Sequence, residues 1–231
     1  DFVPSRGLGD VYKRQSQYIE PDSRVMFRRK ILDRITQLAP FLHFDRDPYL
    51  VVADEEMFWM IDGYTTSDRY PYSEPMRQGR GVFNYIRNSV KVTVNAYDGR
   101  VKFYVSDSND PLIAVYGKIF PDVFAPMSEM PDSLAEHVRY PSDFFDAQAA
   151  MYRTYHMKDA TVFYNKEDLW ALPRELYDGQ EQPMESYYLI MKLPEEEQAE
   201  FILLLPFVPT GKDNMISCLL YTSDAADDLY R

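Results

Sequence analysis

The stretch VKVTVNAYDGRVKFYVS, residues 90–106, decides the fold class. Two runs in which apolar and polar residues alternate flank Asp98-Gly99, a dipeptide typical of a type I′ turn between antiparallel strands. A two-residue loop gives three cross-strand pairs, Ala96 with Val101, Val94 with Phe103, and Val92 with Val105. These partners share one face, so the stretch predicts a hairpin in a sheet that is covered on one side. The wetter face then carries Lys91, Thr93, Asn95, Lys102 and Tyr104.

Two further hairpins are predicted along the chain. Residues 49–53 and 57–64 are rich in strand formers and flank the acidic connection Asp54-Glu55-Glu56. Residues 185–193 and 200–207 flank a similar connection, Glu195-Glu196-Glu197. The polar and aromatic segment 65–81 is rich in turn formers, which predicts a long ordered loop.

Apolar residues at spacings of three and four predict three helices. The first follows the capping sequence Pro21-Asp22-Ser23 and ends at Pro40, the second opens at Asp110-Pro111 and ends at Pro121, and the third is capped by Ser142. Their apolar faces carry Phe27, Ile31, Ile35 and Leu38; Leu112, Val115, Tyr116 and Ile119; and Phe144, Phe145, Met151, Tyr152 and Tyr155. Strands and helices alternate without βαβ periodicity. This order favours an α+β fold with a mixed or mainly antiparallel sheet, built from hairpins with several packed helices.

Composition and charge narrow the class of protein. The chain has 231 residues, of which 45% are apolar and 27% charged, and its formal net charge is -12. Such an acidic chain lacks the clustered Lys and Arg that nucleic acids or anionic lipids require. The longest apolar run, residues 201–208, is interrupted by Pro206 and is far shorter than the roughly 20 residues that cross a bilayer. One cysteine, Cys218, supports neither a disulfide framework nor a cysteine-based zinc site.

Both ends of the chain differ from its interior. Residues 1–15, DFVPSRGLGDVYKRQ, and residues 218–231, CLLYTSDAADDLYR, resemble peptides that arise when sequencing adapters are translated in metagenome assemblies. We therefore expect both segments, and Cys218 with them, to be non-native. Residues 16–217 are then expected to be a fragment of a larger α+β domain, which makes the domain incomplete.

Several long blocks of the interior resemble one protein family. They include APFLHFDRDPYLVVAD (39–54), FWMIDGYTTSDRYPYSE (58–74), YHMKDATVFYNKEDLWALP (155–173) and LLLPFVPTGKDNMIS (203–217). In these blocks the chain resembles the UPF0182 family of bacterial multi-pass membrane proteins. The resemblance implies several N-terminal membrane-spanning helices in the parent protein, followed by a large extracytoplasmic region that contains this fragment. The family's activity is uncharacterised, so the resemblance implies no catalytic residues.

One candidate metal site follows the first predicted helix. His43, Asp45 and Asp47 alternate, so on an extended strand their side chains project from one face, a spacing that could begin a metal site. The alternative is an exposed approach to the strand at 49–53, because Pro48 and a polar context follow. The sequence offers no closing ligand for this set.

A second cluster lies where the strand at 57–64 ends. It brings carboxylates, hydroxyls and a guanidinium into a predicted loop, which could form a polar pocket or a carboxylate-assisted hydrolytic centre. The alternative, which we favour, is that these side chains satisfy the backbone groups of turns. The cluster comprises Asp62, Tyr64, Thr65, Thr66, Asp68 and Arg69.

These observations favour a binding, interaction or regulatory module rather than an enzyme, and they imply no cofactor. The expected partners are the protein's own transmembrane region and envelope proteins or polymers, and nucleic acid is not expected. The alternative function is an envelope hydrolase or metal-dependent enzyme that uses the loop 62–69.

Overall fold

The computed structural model describes residues 28–78, 81–193, 199–212 and 214–222. The helices are α1 (Ile31–Leu38), α2 (Pro111–Ile119), α3 (Asp132–Ala135), α4 (Ser142–Tyr155) and α5 (Ala160–Asn165). The strands up to α2 are β1 (His43–Phe44), β2 (Tyr49–Ala53), β3 (Glu56–Ser67), β4 (Met76–Gln78), β5 (Gly81–Phe83), β6 (Tyr85–Asn95) and β7 (Val101–Val105). The later strands are β8 (Phe124–Pro126), β9 (Trp170–Ala171), β10 (Arg174–Tyr177), β11 (Gln180–Pro183), β12 (Tyr187–Met191), β13 (Glu200–Pro209) and β14 (Ser217–Thr222).

The larger sheet is built around the long strands β3 and β6. Within the described residues it has six strands in the order β1, β3, β6, β7, β8, and β2 also pairs with β3. All pairs are antiparallel except β7 with β8, which are parallel. Helices and hairpins together confirm the predicted α+β class with a mainly antiparallel sheet.

The β6–β7 hairpin forms with a register that differs from the predicted one. Val94 pairs with Val101 instead of Phe103, and Val92 pairs with Phe103 instead of Val105, so the register differs from the prediction by two residues. Five residues, 96–100, separate β6 from β7, and the Asn95 side chain holds this longer loop by accepting hydrogen bonds from the amides of Tyr97 and Asp98, at 2.8 and 3.1 Å. The predicted two-residue loop is therefore wrong. Because the shift is an even number of residues, the same valines still face one side.

A two-residue turn occurs instead in the preceding hairpin, between β2 and β3. Ala53 pairs with Glu56, which leaves Asp54 and Glu55 as the loop. Both loop residues have positive φ, 50° and 64°, as the central residues of a type I′ turn require. The predicted hairpin of residues 49–53 and 57–64 is confirmed, although β3 continues to Ser67.

Gly99 lies where the β6–β7 loop contacts Arg34 of α1. Its φ is +71°, and a Cβ added there would lie 2.8 Å from the Arg34 guanidinium carbon, while Arg34 donates a 2.8 Å hydrogen bond to the Gly99 carbonyl. We expect Gly99→Ala to lower the free energy of unfolding by about 1–2 kcal/mol, from both backbone strain and this contact. Gly179→Ala is the control, because Gly179 has a similar φ of +76° but open space around it. Equal losses in urea unfolding would show that the Arg34 contact contributes nothing.

Both faces of the larger sheet are covered, contrary to the prediction of one wetter face. On one side α1 and α2 pack on the valines of β6, in a cluster that includes Ile35, Val92 and Ile113. On the other side Leu134 and Val138 pack with Tyr104. Lys91, Thr93 and Tyr104 are consequently buried rather than exposed.

The predicted helices form, with differences at their ends. The second helix is confirmed as α2, with Asp110 as its N-cap. The third is confirmed as α4, but the Ser142 side chain makes no capping hydrogen bond within the helix. The first helix begins at Ile31, after Arg28 with a φ of 53°, and its predicted start at 21–27 lies outside the described residues.

The predicted loop 65–81 is partly wrong. Its first three residues belong to β3, where Thr65 pairs with Arg87, and residues 76–78 form a short antiparallel pair with β5. The strand β3 persists because β6 is long enough to pair with it as far as Ser67.

The smaller sheet has the order β12, β13, β14 among the described residues, and β9 also pairs with β13. The predicted hairpin of residues 185–193 and 200–207 is confirmed by the β12–β13 pairing, whereas its acidic connection lies outside the described residues. The structure also places residues 217–222 in this sheet as β14. Residues 218–222 therefore belong to the fold from which the sequence analysis excluded them. A foreign origin of the segment stays a prediction.

Candidate functional site

The six residues of the predicted 62–69 site do not share an open loop. Asp62, Tyr64 and Thr65 are buried because β3 runs through the middle of the larger sheet. Thr66 continues that strand and pairs with Ile86. The side chains of Asp68 and Arg69 lie beyond its end, 71% and 92% exposed and paired with each other at 3.8 Å. The strand therefore separates the buried members of the set from the exposed ones.

Asp62 forms a buried ion pair with Lys91. The two residues lie directly opposite each other on β3 and β6, and the Lys91 ammonium donates to the Asp62 carboxylate. Burial raises the pKa of Asp62 above its usual range, and the charge of Lys91 opposes this rise. Both side chains are almost completely inaccessible to water. The pair therefore belongs to the interior and does not face a substrate.

A β-bulge next to Tyr64 arranges a second buried polar group. Gly63 pairs with Val90 but Thr65 pairs with Arg87, so two residues of β6 oppose Tyr64. Beyond the bulge, the Thr65 and Ser89 hydroxyls hydrogen-bond to the Asp110 carboxylate at 2.5 and 2.6 Å. These contacts tie the centre of the sheet to the start of α2.

Asp110 holds this second group together. Its carboxylate accepts hydrogen bonds from the Tyr85 hydroxyl and from the Leu112 amide, each at 3.0 Å. Burial acts to raise the pKa of Asp110, but hydrogen bonds from Ser89, Thr65 and Leu112 outweigh it and lower the pKa. Asp110 is thus an ionised structural carboxylate.

Asp45, which directly follows β1, caps helix α4. Its carboxylate accepts hydrogen bonds from the Asp143 amide at 3.0 Å, from the Asp47 amide at 2.9 Å and from the Tyr64 hydroxyl. The Ser142 hydroxyl lies 3.4 Å away. A carboxylate at a helix N-terminus is stabilised by the unpaired amides and by the helix dipole. Asp45 therefore serves as the cap that Ser142 was predicted to supply.

The three candidate metal ligands have separate surroundings. His43 is exposed on β1, Asp45 is buried under α4, and Asp47 forms an ion pair of 2.6 Å with Arg139. In the part of the chain that the structure describes, no group of three or more His, Cys, Asp or Glu side chains is placed to hold a metal ion.

Arg139 links the two sheets. Its guanidinium lies 3.9 Å from the ring centre of Tyr49 in the larger sheet and 4.4 Å from that of Tyr188 in the smaller one, and it also pairs with Asp47. The side chain is only 15% exposed, so the cation–π contacts are partly desolvated. Neither the aromatic residues nor Arg139 formed a recognisable sequence motif.

We expect Arg139→Ala to lower the free energy of unfolding by about 2 kcal/mol, because it removes two cation–π contacts and a charge-assisted hydrogen bond. Arg100→Ala is the control, since Arg100 is 71% exposed and pairs with Asp98 in its own turn, and it should cost less than about 0.5 kcal/mol. Urea unfolding of both variants measures the difference. Equal effects would contradict the bridging role.

An open groove lies between α4 and the β4–β6 region. Its volume is about 480 Å³, within the range of ligand pockets. Its walls are mainly apolar and include Phe83, Ile86, Phe144, Met151, Tyr152 and Tyr155. Tyr85 also lines the groove, and burial and the hydrogen bond to Asp110 raise the pKa of its hydroxyl to about 12. A groove of this chemistry can take apolar or aromatic groups, and its methionines can adapt to their shape.

Part of the groove wall comes from a helix face that the sequence predicted to be apolar. Met151, Tyr152 and Tyr155 lie on the predicted apolar face of α4, yet they are 38%, 48% and 51% exposed. None of the six residues of the predicted 62–69 site lines the groove.

The fold and the site together define an α+β domain with a larger and a smaller sheet, structural carboxylates in its interior and an open apolar groove. The chain belongs to the Uncharacterised protein family (UPF0182), whose family model matches residues 9–230. This finding confirms the resemblance seen in the sequence.

Curated relatives are similar over most of this chain. The UPF0182 protein of Pelotomaculum thermopropionicum is 51% identical over 217 residues, which cover 94% of this chain and 23% of the relative. The UPF0182 protein of Methanospirillum hungatei is 50% identical over 220 residues, covering 94% of this chain and 24% of the relative. The UPF0182 protein of Microcystis aeruginosa is 51% identical over 214 residues, which cover 90% of this chain and 22% of the relative. The chain thus spans about a quarter of the length of the relatives it matches, and no solved structure matches it.

No helix of the described residues has the length and apolar character needed to cross a membrane.

Proposed function

We propose that this chain is a non-catalytic interaction module, the extracytoplasmic portion of a multi-pass membrane protein, which binds an apolar segment in the groove beside α4. The observation that carries the proposal is the groove itself, an open cleft of about 480 Å³ with aromatic and methionine walls. Monomeric proteins rarely leave such surfaces uncovered unless they bind something there.

The exposed wall of α4 supports this role. Met151, Tyr152 and Tyr155 occupy three positions of one helix face at spacings of one, three and four, so they can act together on a single bound segment. Large, partly exposed aromatic side chains are the residues that anchor binding surfaces most strongly. The partner is expected to supply apolar side chains, from the protein's own transmembrane region or from an envelope protein.

The interior carboxylates favour this function over hydrolysis. A carboxylate that acts on a substrate must reach it, whereas Asp62 is buried against Lys91 and Asp45 is engaged at the N-terminus of α4. Asp68 is accessible, but it forms an ion pair with the neighbouring Arg69. The described carboxylates thus form no acid–base pair at the groove.

A photo-crosslinking experiment on the full-length protein tests the proposal. The amino acid p-benzoylphenylalanine in place of Tyr152 should give a crosslink in cells, whereas the same amino acid in place of Tyr177, which is 69% exposed on β10, should give none. Equal labelling at both positions, or none at Tyr152, would contradict the proposal.

A charge in the groove provides the matched comparison. Met151→Glu should reduce the Tyr152 crosslink by about tenfold or more, because a bound apolar segment cannot accommodate an unpaired carboxylate. Val115→Glu, at an exposed apolar position on α2, should leave it unchanged. A crosslink that survives Met151→Glu would place the contact outside the groove.

A further inference from the structure

Strand β12 forms an unprotected edge of the smaller sheet. Its sequence, YYLIM, contains no charged residue and no proline. In the described part of the chain it pairs with β13 on one side and with no strand on the other. Natural sheet edges are usually protected by charges, proline, bulges or a covering element, because their free amides and carbonyls pair readily with another strand.

The side chains along this edge are also apolar and exposed. Ile190 is 72% exposed and pairs across the hairpin with Phe201, which is 37% exposed. The ring of Phe201 stacks on that of Tyr188 at 4.9 Å, so the apolar face continues from the interior to the surface. A strand that pairs with β12 would extend the sheet and place its own side chains beside Tyr188 and Ile190.

The neighbouring hairpin shows the usual protection. Strands β10 and β11 carry Arg174, Glu175 and Glu181, with an ion pair of 3.2 Å between Arg174 and Glu181. Charged side chains of this kind discourage further strand pairing. The contrast within one region of the chain indicates that the edge of β12 is kept free for a partner strand.

We propose that a β-strand of the same polypeptide, from the part of the full-length protein outside residues 1–231, pairs with the outer edge of β12. The backbone of an edge strand recognises only another extended strand, which fixes the conformation of the partner. Apolar side chains of that strand, opposite Tyr188 and Ile190, would pack beside them on the same face of the sheet. The source is argued from length, since about three-quarters of each matched relative lies outside the region that this chain covers. The inference concerns a different surface from the groove and does not depend on what the groove binds.

Hydrogen exchange of the full-length protein tests the pairing. In a two-stranded ladder alternate amides of β12 bond to β13, while the others point outward. If the outer edge is paired, all five amides of residues 187–191 should exchange at least ~100-fold more slowly than unstructured amides. Rapid exchange of the outward-pointing set, beside slow exchange of the set bonded to β13, would overturn the proposal.

Crosslinking identifies the source of the strand. The amino acid p-benzoylphenylalanine in place of Ile190 should link to a peptide of the same polypeptide outside residues 1–231, in a product with the mass of one copy. The same substitution at Leu176, exposed on β10, is the control and should give no such link. A link between two differently tagged copies, a link to another protein, or no link at Ile190 would each overturn the proposal.

Discussion

Replacing Lys91 with methionine should destabilise the protein by about 3–5 kcal/mol, the cost expected when a buried ion pair loses one partner. The Asp62 carboxylate would remain at the centre of the sheet, where its exposure is 3%, without the cation that compensates for its charge. Methionine has a similar length and shape, so the lost charge rather than a cavity dominates the change. Urea unfolding near pH 7, compared with the unsubstituted chain, measures the loss.

The double variant Asp62→Asn with Lys91→Met tests the origin of the cost. It removes both charges together, and we expect it to recover at least half of the stability that Lys91→Met loses, because no uncompensated charge remains. Additive losses would show that the two side chains contribute independently and that their pairing does not matter.

The stability of the Lys91→Met variant should also depend on pH in a defined direction. Burial already raises the pKa of Asp62, and without Lys91 nothing of comparable size opposes this effect. The folded state then binds a proton at pH values where the unfolded state has released it, so stability falls as the pH rises through the raised pKa. The deficit relative to the unsubstituted chain should therefore shrink as the pH is lowered from 7 towards 4. A constant deficit across this range would contradict the assignment.

Replacing Asp45 with alanine should lower the free energy of unfolding by about 3–4 kcal/mol, the second large effect that we expect. The substitution leaves the buried Tyr64 hydroxyl and the Asp143 amide without their acceptor and removes the N-terminal cap of α4. Because Asp45 is 98 residues from Asp143 in the chain, the substitution also removes one of the contacts that tie α4 to the segment after β1. Denaturant unfolding followed by circular dichroism measures it.

Asp159→Ala is the matched control for this cap. Asp159 caps α5 from the adjacent position, accepting from the amides of Thr161 and Val162, and it is exposed. Its loss should cost about 1 kcal/mol, the usual value for a local cap. If Asp45→Ala costs no more than Asp159→Ala, the tertiary contacts of Asp45 add nothing.

These structural carboxylates bear on the proposed binding role. The N-terminus of α4 is held by Asp45, and its C-terminal half forms the wall of the groove with Met151 and Tyr155. A rigid helix keeps these side chains in place before a partner arrives, which lowers the entropy that binding must overcome. The polar interior thus supports a binding surface that contains few polar groups of its own.

Local patterns predicted the elements whose causes are local. Strand alternation predicted the β6–β7 hairpin, and two runs that flank an acidic connection predicted the β12–β13 hairpin. The pair Asp110-Pro111 predicted the start of α2, since a cap and a proline act within one turn of helix. The loop of the β6–β7 hairpin was not predicted, because the Asn95 side chain holds two loop amides and competes with the two-residue turn.

The sequence by itself determined the α+β class, the mainly antiparallel hairpins, the family and the acidic character of this protein. Only the tertiary structure decided what the polar residues do. Asp62 meets Lys91 because β3 pairs with β6 in one particular register, and Asp45 caps α4 because the chain returns to it after 98 residues. Burial depends on which segments cover each face of a sheet, and that depends on contacts between residues far apart in the chain. Alternation along one strand distinguishes its two faces but does not show whether both are covered.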